Sequence, residues 1–476
     1  MTVPYWVAGK PSTGPTPLEV RHPGDGHLVA TTSLASTSDI ETAVATAHAA
    51  DTATLPAHVR ADALTHVSAR LAERAEELAR LITAENGKPV RWARTEVTRA
   101  VSTFRLAAEE ARRWSGDLQR LDTDPGSAGR LALVRRVSRG PVLGITPFNF
   151  PLNLVAHKVA PAIAVGAPFV LKPAPATPLS ALALGEILAE TDLPAGSWSI
   201  LPTTNEVAAA LVADPRLPVV SFTGSAEVGW RIRDTVPRKQ VVLELGGNAA
   251  AVVCPDYTGA TDLAHAASRI ATFAMYSAGQ SCIAVQRVFV PRSHYRAFVD
   301  LLVTAVDALA TGDPFDDATE VGPLIDTAAA QRVRQWIAEA LDAGATLRTG
   351  NNGAGTTLAP TVLTDVPRTA RVHRDEVFGP VVVVDPVDSL DEALAGVDDS
   401  RFGLQAGLFT RDLATAFHAH ARLAVGAVIV GDVPSFRADQ MPYGGVKDSG
   451  AGREGVRSAM HDLTDDRVLV LTGITL

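Results

Sequence analysis

Apolar and polar residues alternate along this chain in two rhythms. Across residues 57–116, apolar positions recur every three or four residues among Arg and Glu, most clearly in HVRADALTHVSARLAERAEELARLITAENGK. That spacing predicts amphipathic helices, with the Asn-Gly pair marking a stop. From residue 141 short apolar runs alternate with helical stretches: PVLGITP, NLVAHKVAPAIAVG, PFVLKP, PLSALALGEILAETDLPAG, SWSILP, NEVAAALVAD, VVSFTG, SAEVGWRIRDTV and QVVLELGG. Strands separated by helices of this length cannot pair as hairpins. They predict a parallel sheet covered on both faces, with ligands gathering at the C-terminal ends of the strands.

A second α/β series follows, from DLAHAASRIATFAMYS through RVFVP, YRAFVDLLVTAVDALATG and RVRQWIAEALDAGA to VVVVDPV and AVGAVIVGDVP. Two segments, LALVRRVSR (131–139) and the terminal DRVLVLTGITL, have strand composition but stand outside both series. Unpaired edges attract partners, so each is expected either in a sheet shared with another chain or as an edge strand of a main sheet.

Length agrees with this division, because 476 residues exceed what one hydrophobic core supports. The net charge of −9 without a dense Lys/Arg block gives no footprint for nucleic acid, and no segment reads as a leader or a membrane span. Two cysteines without metal-knuckle or CxxC spacing predict no metal site and a reducing, cytoplasmic setting. Cys254, in AAAVVCPD, has the apolar neighbours of a buried free thiol. Cys282, in MYSAGQSCIAVQR, sits instead among small and polar residues.

The polar residues at the predicted strand ends supply the chemistry. Asn149 either caps the next helix or offers an amide to a developing oxyanion. Lys172 either snorkels to solvent or holds ribose hydroxyls, and Gly224-Ser225 is either an ordinary helix start or a pyrophosphate cradle, although that segment is not a GxGxxG fingerprint. Glu244 ends an apolar strand, where desolvation would raise its pKa and suit it to general-base work. With Cys282 the set comprises a thiol nucleophile, a base, an amide donor and a nucleotide cradle.

Together these residues resemble the aldehyde dehydrogenase superfamily, and the match runs over nearly the whole chain. PFNFP, FTGSAEVG, ELGG, GQSC, EVFGP and PYGGVKDSGAGREG stand in the family's order at its approximate spacings. GGNAA and MPYGGVKDSG look most like bacterial members acting on small aldehydes, such as lactaldehyde, semialdehyde and non-phosphorylating glyceraldehyde-phosphate dehydrogenases. The resemblance implies an α/β fold with a Rossmann-like parallel-sheet cofactor domain over 1–119 and 140–246. It further implies a second α/β catalytic domain over 247–450 and a small β oligomerisation arm over 120–139 and 459–476, giving a homodimer or homotetramer.

The implied chemistry is oxidation of a small aldehyde to its acid. Cys282 attacks the carbonyl, Asn149 and the Cys282 N–H hold the oxyanion, a hydride passes to NAD(P), and Glu244 activates the water that hydrolyses the thioester. The family's cofactor contacts fall on Thr146, Pro147 and Phe148, on Lys172, Pro173, Ala174 and Pro175, and on Phe222, Gly224, Ser225 and Val228. They continue on Leu245, Gly246, Glu376 and Phe378. Lys172 and Glu376 would hold the two riboses, Ser225 a phosphate, and Phe378 the nicotinamide side.

Two departures from the family pattern bear on specificity. Many NAD-preferring relatives carry glutamate where this chain has Pro175, and proline neither binds the adenosine ribose hydroxyls nor repels a 2′-phosphate. NADP is therefore expected to serve at least as well as NAD. At the substrate end stand Phe150, His157, Ser281, Arg437 and Tyr443. Either Arg437 pairs with a neighbouring acid and His157 is a satisfied core residue, or the two recognise a polar or anionic tail. Ser281 replaces the arginine of phosphorylated-triose specialists, which points to a short hydroxylated or carboxylated aldehyde. Coenzyme-A-acylating or phosphorylated-aldehyde dehydrogenases are the alternatives within the family; Glu244 argues against acylation. A non-catalytic binding protein on the same fold is the other class, against which the retained Cys282, Asn149 and Glu244 weigh.

Overall fold

A computed structural model describes residues 2–50 and 55–474. The parallel heart of its first sheet consists of β1 (Val142–Ile145), β2 (Phe169–Lys172), β3 (Trp198–Ile200), β4 (Val219–Thr223) and β5 (Gln240–Glu244), in the order β3-β2-β1-β4-β5. The order reverses about β1, so the loops leaving β1 and β4 part and open a crevice at the strand ends. β1, β2 and β3 are buried throughout, and the helices Asn153–Val165 and Leu179–Leu188 expose almost nothing, as sheet-covering helices must. Helices Ala57–Glu73, Ala75–Asn86 and Val90–Arg113 pack on this layer, and the Asn86-Gly87 stop is real: Gly87 adopts φ +74°.

Antiparallel edges extend this sheet in ways the periodicity did not indicate. Strands Lys10–Ser12 and Tyr5–Val7 continue it beyond β3, and Gly450–Ala451 pairs with β5 at Leu243 and Glu244. The helix Val456–Asp462 buries Val456 and Met460 in the same core. The chain thus returns to the first sheet after building the second.

The second sheet comprises β6 (Ala250–Val253), β7 (Arg287–Pro291), β8 (Thr346–Thr349), β9 (Thr361–Thr364), β10 (Val381–Val387), β11 (Gln405–Phe409) and β12 (Ala427–Val430). Its order is β8-β9-β10-β7-β6-β11-β12, parallel except at β8. Cys254 follows β6 and is fully buried, with its thiol pushed up to about 12 by burial, in keeping with a packing residue.

Of the two readings of the strand-like segments outside both series, the edge of a main sheet is the one corrected. Neither segment is an edge of a main sheet, nor does either lack a partner within the chain. Arg130–Ser138 and Thr464–Thr472 pair with each other over nine consecutive positions, antiparallel, and Asp117–Arg120 adds a third strand. Each was the other's missing partner, separated by more than 300 residues of sequence. This small sheet exposes Leu118, Leu133, Val468, Leu469 and Val470. Positions 475–476 of the expected arm, like 1 and 51–54 of the expected first domain, lie outside the described residues. Among the described residues no helix is long and apolar enough to cross a membrane.

Candidate active site

A cavity of about 540 Å³ opens where the loops after β1, β4 and β5 face the 276–283 and 435–443 segments. It brings together Asn149, Glu244 and Cys282, and with them Pro147, Phe148, Phe150, Gly224, Ser225, Leu245 and Gly246. Ser281, Glu376, Phe378, Arg437 and Tyr443 also line it.

Local backbone geometry presents the cysteine. After the helix Ala260–Met275, Ser277, Ala278 and Gly279 all take positive φ (51°, 54° and 69°), a sequence of left-handed residues that reverses the chain just before Cys282. Such conformations cost non-glycine residues of order 1 kcal/mol or more each and persist only where the surroundings impose them. Gly279 is required twice over, since a Cβ there would also fall 2.1 Å from the Gly379 carbonyl. The Cys282 N–H makes no hydrogen bond among the described residues, and Asn149 Nδ2 donates to the Gln280 carbonyl at 2.9 Å, placing the amide beside the cysteine turn.

Two glycines after β5 let three chain segments meet. A Cβ on Gly246 would lie 2.4 Å from the Glu376 carboxylate, and one on Gly247 would lie 2.1 Å from the Cys282 carbonyl oxygen. The Gly247 N–H donates to Glu376 Oε1 at 2.8 Å. Burial lifts the Glu376 carboxyl to about 7, and that N–H partly offsets the rise. Phe378, at φ +49°, turns its ring edge-on to Phe148 with centroids 5.9 Å apart.

Glu244 is buried, and neither of its carboxylate oxygens has a hydrogen-bond partner among the described residues. Desolvation first, and the negative charge of Glu454 second, hold its pKa well above the ordinary carboxylate range. Glu454 itself accepts from Arg437 Nη2 at 3.0 Å and Lys158 Nζ at 3.4 Å. Against the upward push of burial, those two cations hold Glu454 at about 2. Burial pushes the Cys282 thiol up to about 12, opposed by a 3.1 Å contact with the Tyr443 hydroxyl.

Sequence reasoning missed Lys158 and Glu454, and also the device that fixes Asn149. Lys88 is fully buried, pairs with Glu96 and donates to the Asn149 carbonyl at 2.6 Å. Glu96 Oε1 accepts from the N–H groups of Leu152 and Asn153 at 2.9 and 3.1 Å, capping the following helix from a different one. A Lys in a short turn between helices, or a Glu within a helix, normally reads as solvated, and no local signal distinguishes these two. Arg99 and Tyr276 also line the cavity unpredicted; Tyr276 donates to Ser281 Oγ at 2.6 Å.

The remaining expected residues are distributed differently. His157 is not among the cavity-lining residues: its ring is buried, Nε2 contacts Asp439 at 3.2 Å, and burial takes its pKa down to about 4. The ring is thus partnered on one side only, since its buried Nδ1 has no partner among the described residues. Arg437 combines both of its readings, paired to Glu454 while lining the cavity with a buried Nε that has no partner among the described residues. Thr146, Lys172, Pro173, Ala174, Phe222 and the exposed Pro175 lie beyond the cavity, along the ends and following loops of β1, β2 and β4, as does the exposed Val228 in the helix Ala226–Thr235. Lys172 Nζ reaches Asn205 Oδ1 at 3.4 Å.

The doubly wound sheet and its thiol-bearing cleft define an α/β enzyme that works with a nucleotide cofactor. A family model described as the aldehyde dehydrogenase family matches residues 6–469. The 3-sulfolactaldehyde dehydrogenase of Priestia megaterium is 40% identical over 467 residues, 98% of this chain and 97% of the relative. Among solved structures, aldehyde dehydrogenase 21 from Physcomitrella patens in complex with the reaction product succinate superposes with a TM-score of 0.97 at 43% identity, covering 99% of this chain and 98% of the other. The NADP-dependent glyceraldehyde-3-phosphate dehydrogenase from Bacillus halodurans, complexed with NADP, gives 0.95 at 34% identity over 99% of both chains. The chain belongs to the aldehyde dehydrogenase family. It is an NAD(P)-dependent aldehyde-oxidising enzyme with the α/β architecture expected from the sequence.

Proposed function

We propose that this enzyme oxidises a short aldehyde carrying an anionic tail, carboxylate or sulfonate, to the corresponding acid, with Cys282 as nucleophile. The observation that carries the reading is the convergence, on one cavity, of Cys282, the Asn149 amide, the partnerless Glu244 carboxylate and the Arg437 guanidinium. Attack by the Cys282 sulfur on the carbonyl gives a thiohemiacetal whose oxyanion falls to the Asn149 amide and the Cys282 N–H. NAD(P), when bound, supplies the hydride acceptor. Glu244 then takes a proton from the water that cleaves the thioester, a task for which an unpaired buried carboxylate is suited.

The chain's residues fit that cofactor. Gly246 lets the Glu376 carboxylate approach the main chain after β5, and Ser225 opens the helix Ala226–Thr235 without a side-chain capping bond, so the helix start can receive a phosphate. Lys172 and Glu376 would hold the riboses, Pro147, Phe148, Leu245 and Phe378 the nicotinamide end, and the exposed Pro175 leaves a 2′-phosphate unopposed. NADP is accordingly used at least as readily as NAD. The first sheet with its helices forms the cofactor unit, the second the catalytic unit. The exposed apolar three-stranded sheet joins protomers into a dimer or tetramer, and two free thiols suit a cytoplasmic setting.

Tail recognition rests on Arg437, which lines the cavity and whose buried Nε has no partner among the described residues; Arg99 also lines it. The substrate of the Priestia relative bears a sulfonate, the product in the Physcomitrella complex is a dicarboxylate, and the Bacillus enzyme acts on a phosphorylated aldehyde. The test is a panel of neutral, hydroxylated, carboxylated, sulfonated and phosphorylated aldehydes crossed with NAD and NADP, following reduced nicotinamide. Acidic short aldehydes should give the highest kcat/KM, Arg437→Gln should erase that preference, and Cys282→Ala should abolish oxidation. Oxidation surviving Cys282→Ala sinks the mechanism, and an unchanged acid-to-neutral ratio in Arg437→Gln sinks the assignment of the tail.

A further inference from the structure

The Tyr443 hydroxyl lies 3.1 Å from Cys282 Sγ, which is more than a lining residue needs to do. Tyr443 is 3% exposed and shares a small apolar cluster with Ile283 and Leu404, against which Cys282 packs. Its main chain is clamped to Glu454 by two backbone hydrogen bonds of 2.9 and 2.7 Å, an isolated antiparallel bridge. The Glu454 side chain holds Arg437 at 3.0 Å, and the Arg437 guanidinium lies over the Tyr443 ring, 3.8 Å from its centroid. Backbone, ion pair and cation–π contact thus form a closed triangle that leaves the phenol no other direction to point. A cation on the face of a phenol ring also withdraws charge from it and strengthens the hydroxyl as a donor.

We propose, resting on the assignment of Cys282 as nucleophile, that Tyr443 is a hydrogen-bond donor to the Cys282 thiolate, aimed by Arg437 and Glu454, and sets how much of the nucleophile is in its attacking form. The need for a donor is physical. The sulfur sits where burial, together with the charges of Glu376 and Glu244, disfavours the anion, and the thiolate is the reactive species. Tyr443 is suited to the task because burial and the neighbouring sulfur hold its own proton on across the working pH range. No bond is made or broken by Tyr443. Its hydroxyl supports the charge before attack and releases the sulfur as the S–C bond forms.

Tyr443→Phe separates this role from packing, since phenylalanine fills the same apolar cluster without the hydroxyl. The measurement is the pH dependence of Cys282 alkylation by iodoacetamide in the full-length enzyme, with Cys282→Ser defining any background from Cys254. In Tyr443→Phe the alkylation midpoint should move up by about one pH unit, and the rate below both midpoints should fall about tenfold, the usual scale for a hydrogen bond to a charged group. The pre-steady-state rate of the first turnover should fall by a similar factor, with the thioester hydrolysis rate unchanged. An alkylation profile identical to that of the parent enzyme overturns the role of Tyr443. Aldehyde oxidation that persists in Cys282→Ser would instead overturn the assignment of the nucleophile.

Discussion

Glu244 and Glu454 are both buried carboxylates lining one cavity, yet their surroundings are opposite. Around Glu244, at the end of β5, no donor among the described residues reaches either oxygen, whereas around Glu454 an arginine and a lysine converge. Depth of burial is nearly the same, so burial alone does not assign a role. The pairing does: a carboxylate with satisfied partners is locked in its charged form, and one without them keeps its proton to higher pH. Glu454 also adds to the repulsion that lifts Glu244, so the locked carboxylate tunes the free one.

The largest effect that could break this comparison comes from Glu244→Gln. It should lower kcat by about 10²–10⁴, the range lost with a general base. A first burst of reduced nicotinamide should persist, because only thioester hydrolysis needs the base, and the unfolding free energy should not fall, because no partner is abandoned. In the parent enzyme the base works only when deprotonated and its pKa is raised. The acid limb of kcat should therefore stand above the ordinary carboxylate range, with activity rising as pH rises through it. Loss of the burst together with turnover would contradict the division of labour.

Glu454→Gln tests the other side. Removing this charge strands Lys158 and Arg437 in the interior, and breaking a buried pair in this way typically costs about 3–5 kcal/mol. Urea unfolding should show that loss. The acid limb of kcat should move down at the same time, since Glu244 loses its repelling neighbour. A stable variant with an unmoved acid limb would mean that the two carboxylates are independent.

The sequence distinguished these two regions unequally. Glu244 was legible because it interrupts a continuous apolar strand, a contradiction that calls for chemistry. Glu454 lies in GAGREG, where a charge beside glycines reads as solvated turn, and its burial depends on strand Gly450–Ala451 returning to β5 across two hundred residues. The βα alternation of both sheets was readable for the same reason as Glu244: local period and local composition carry it. The three-stranded arm, the Lys88–Glu96 support of Asn149 and the antiparallel edges all depend on partners distant in sequence, and a single chain read residue by residue holds no record of them. Arg437 and His157 looked alike on paper, two cationic side chains near the channel. Only the packing showed that one lines the cavity while the other faces Asp439.

His157 gives the smallest and most selective test, because it separates a core role from a substrate role without touching either carboxylate. Burial first, and the charge of Arg437 second, bring its folded pKa down to about 4, while an unfolded histidine titrates near 6.5. Between those values the unfolded chain binds the extra proton. The contribution of a neutral His157 is thus fully present above pH ~6.5 and is lost as pH falls towards about 4, with a slope of at most about 1.4 kcal/mol per pH unit. His157→Gln should flatten that part of the stability–pH curve in urea titrations while leaving the ratio of kcat/KM for acidic and neutral aldehydes unchanged. A changed ratio with an unchanged stability curve would return His157 to the substrate channel, and the contrast between a locked interior and a responsive cavity would need to be redrawn around it.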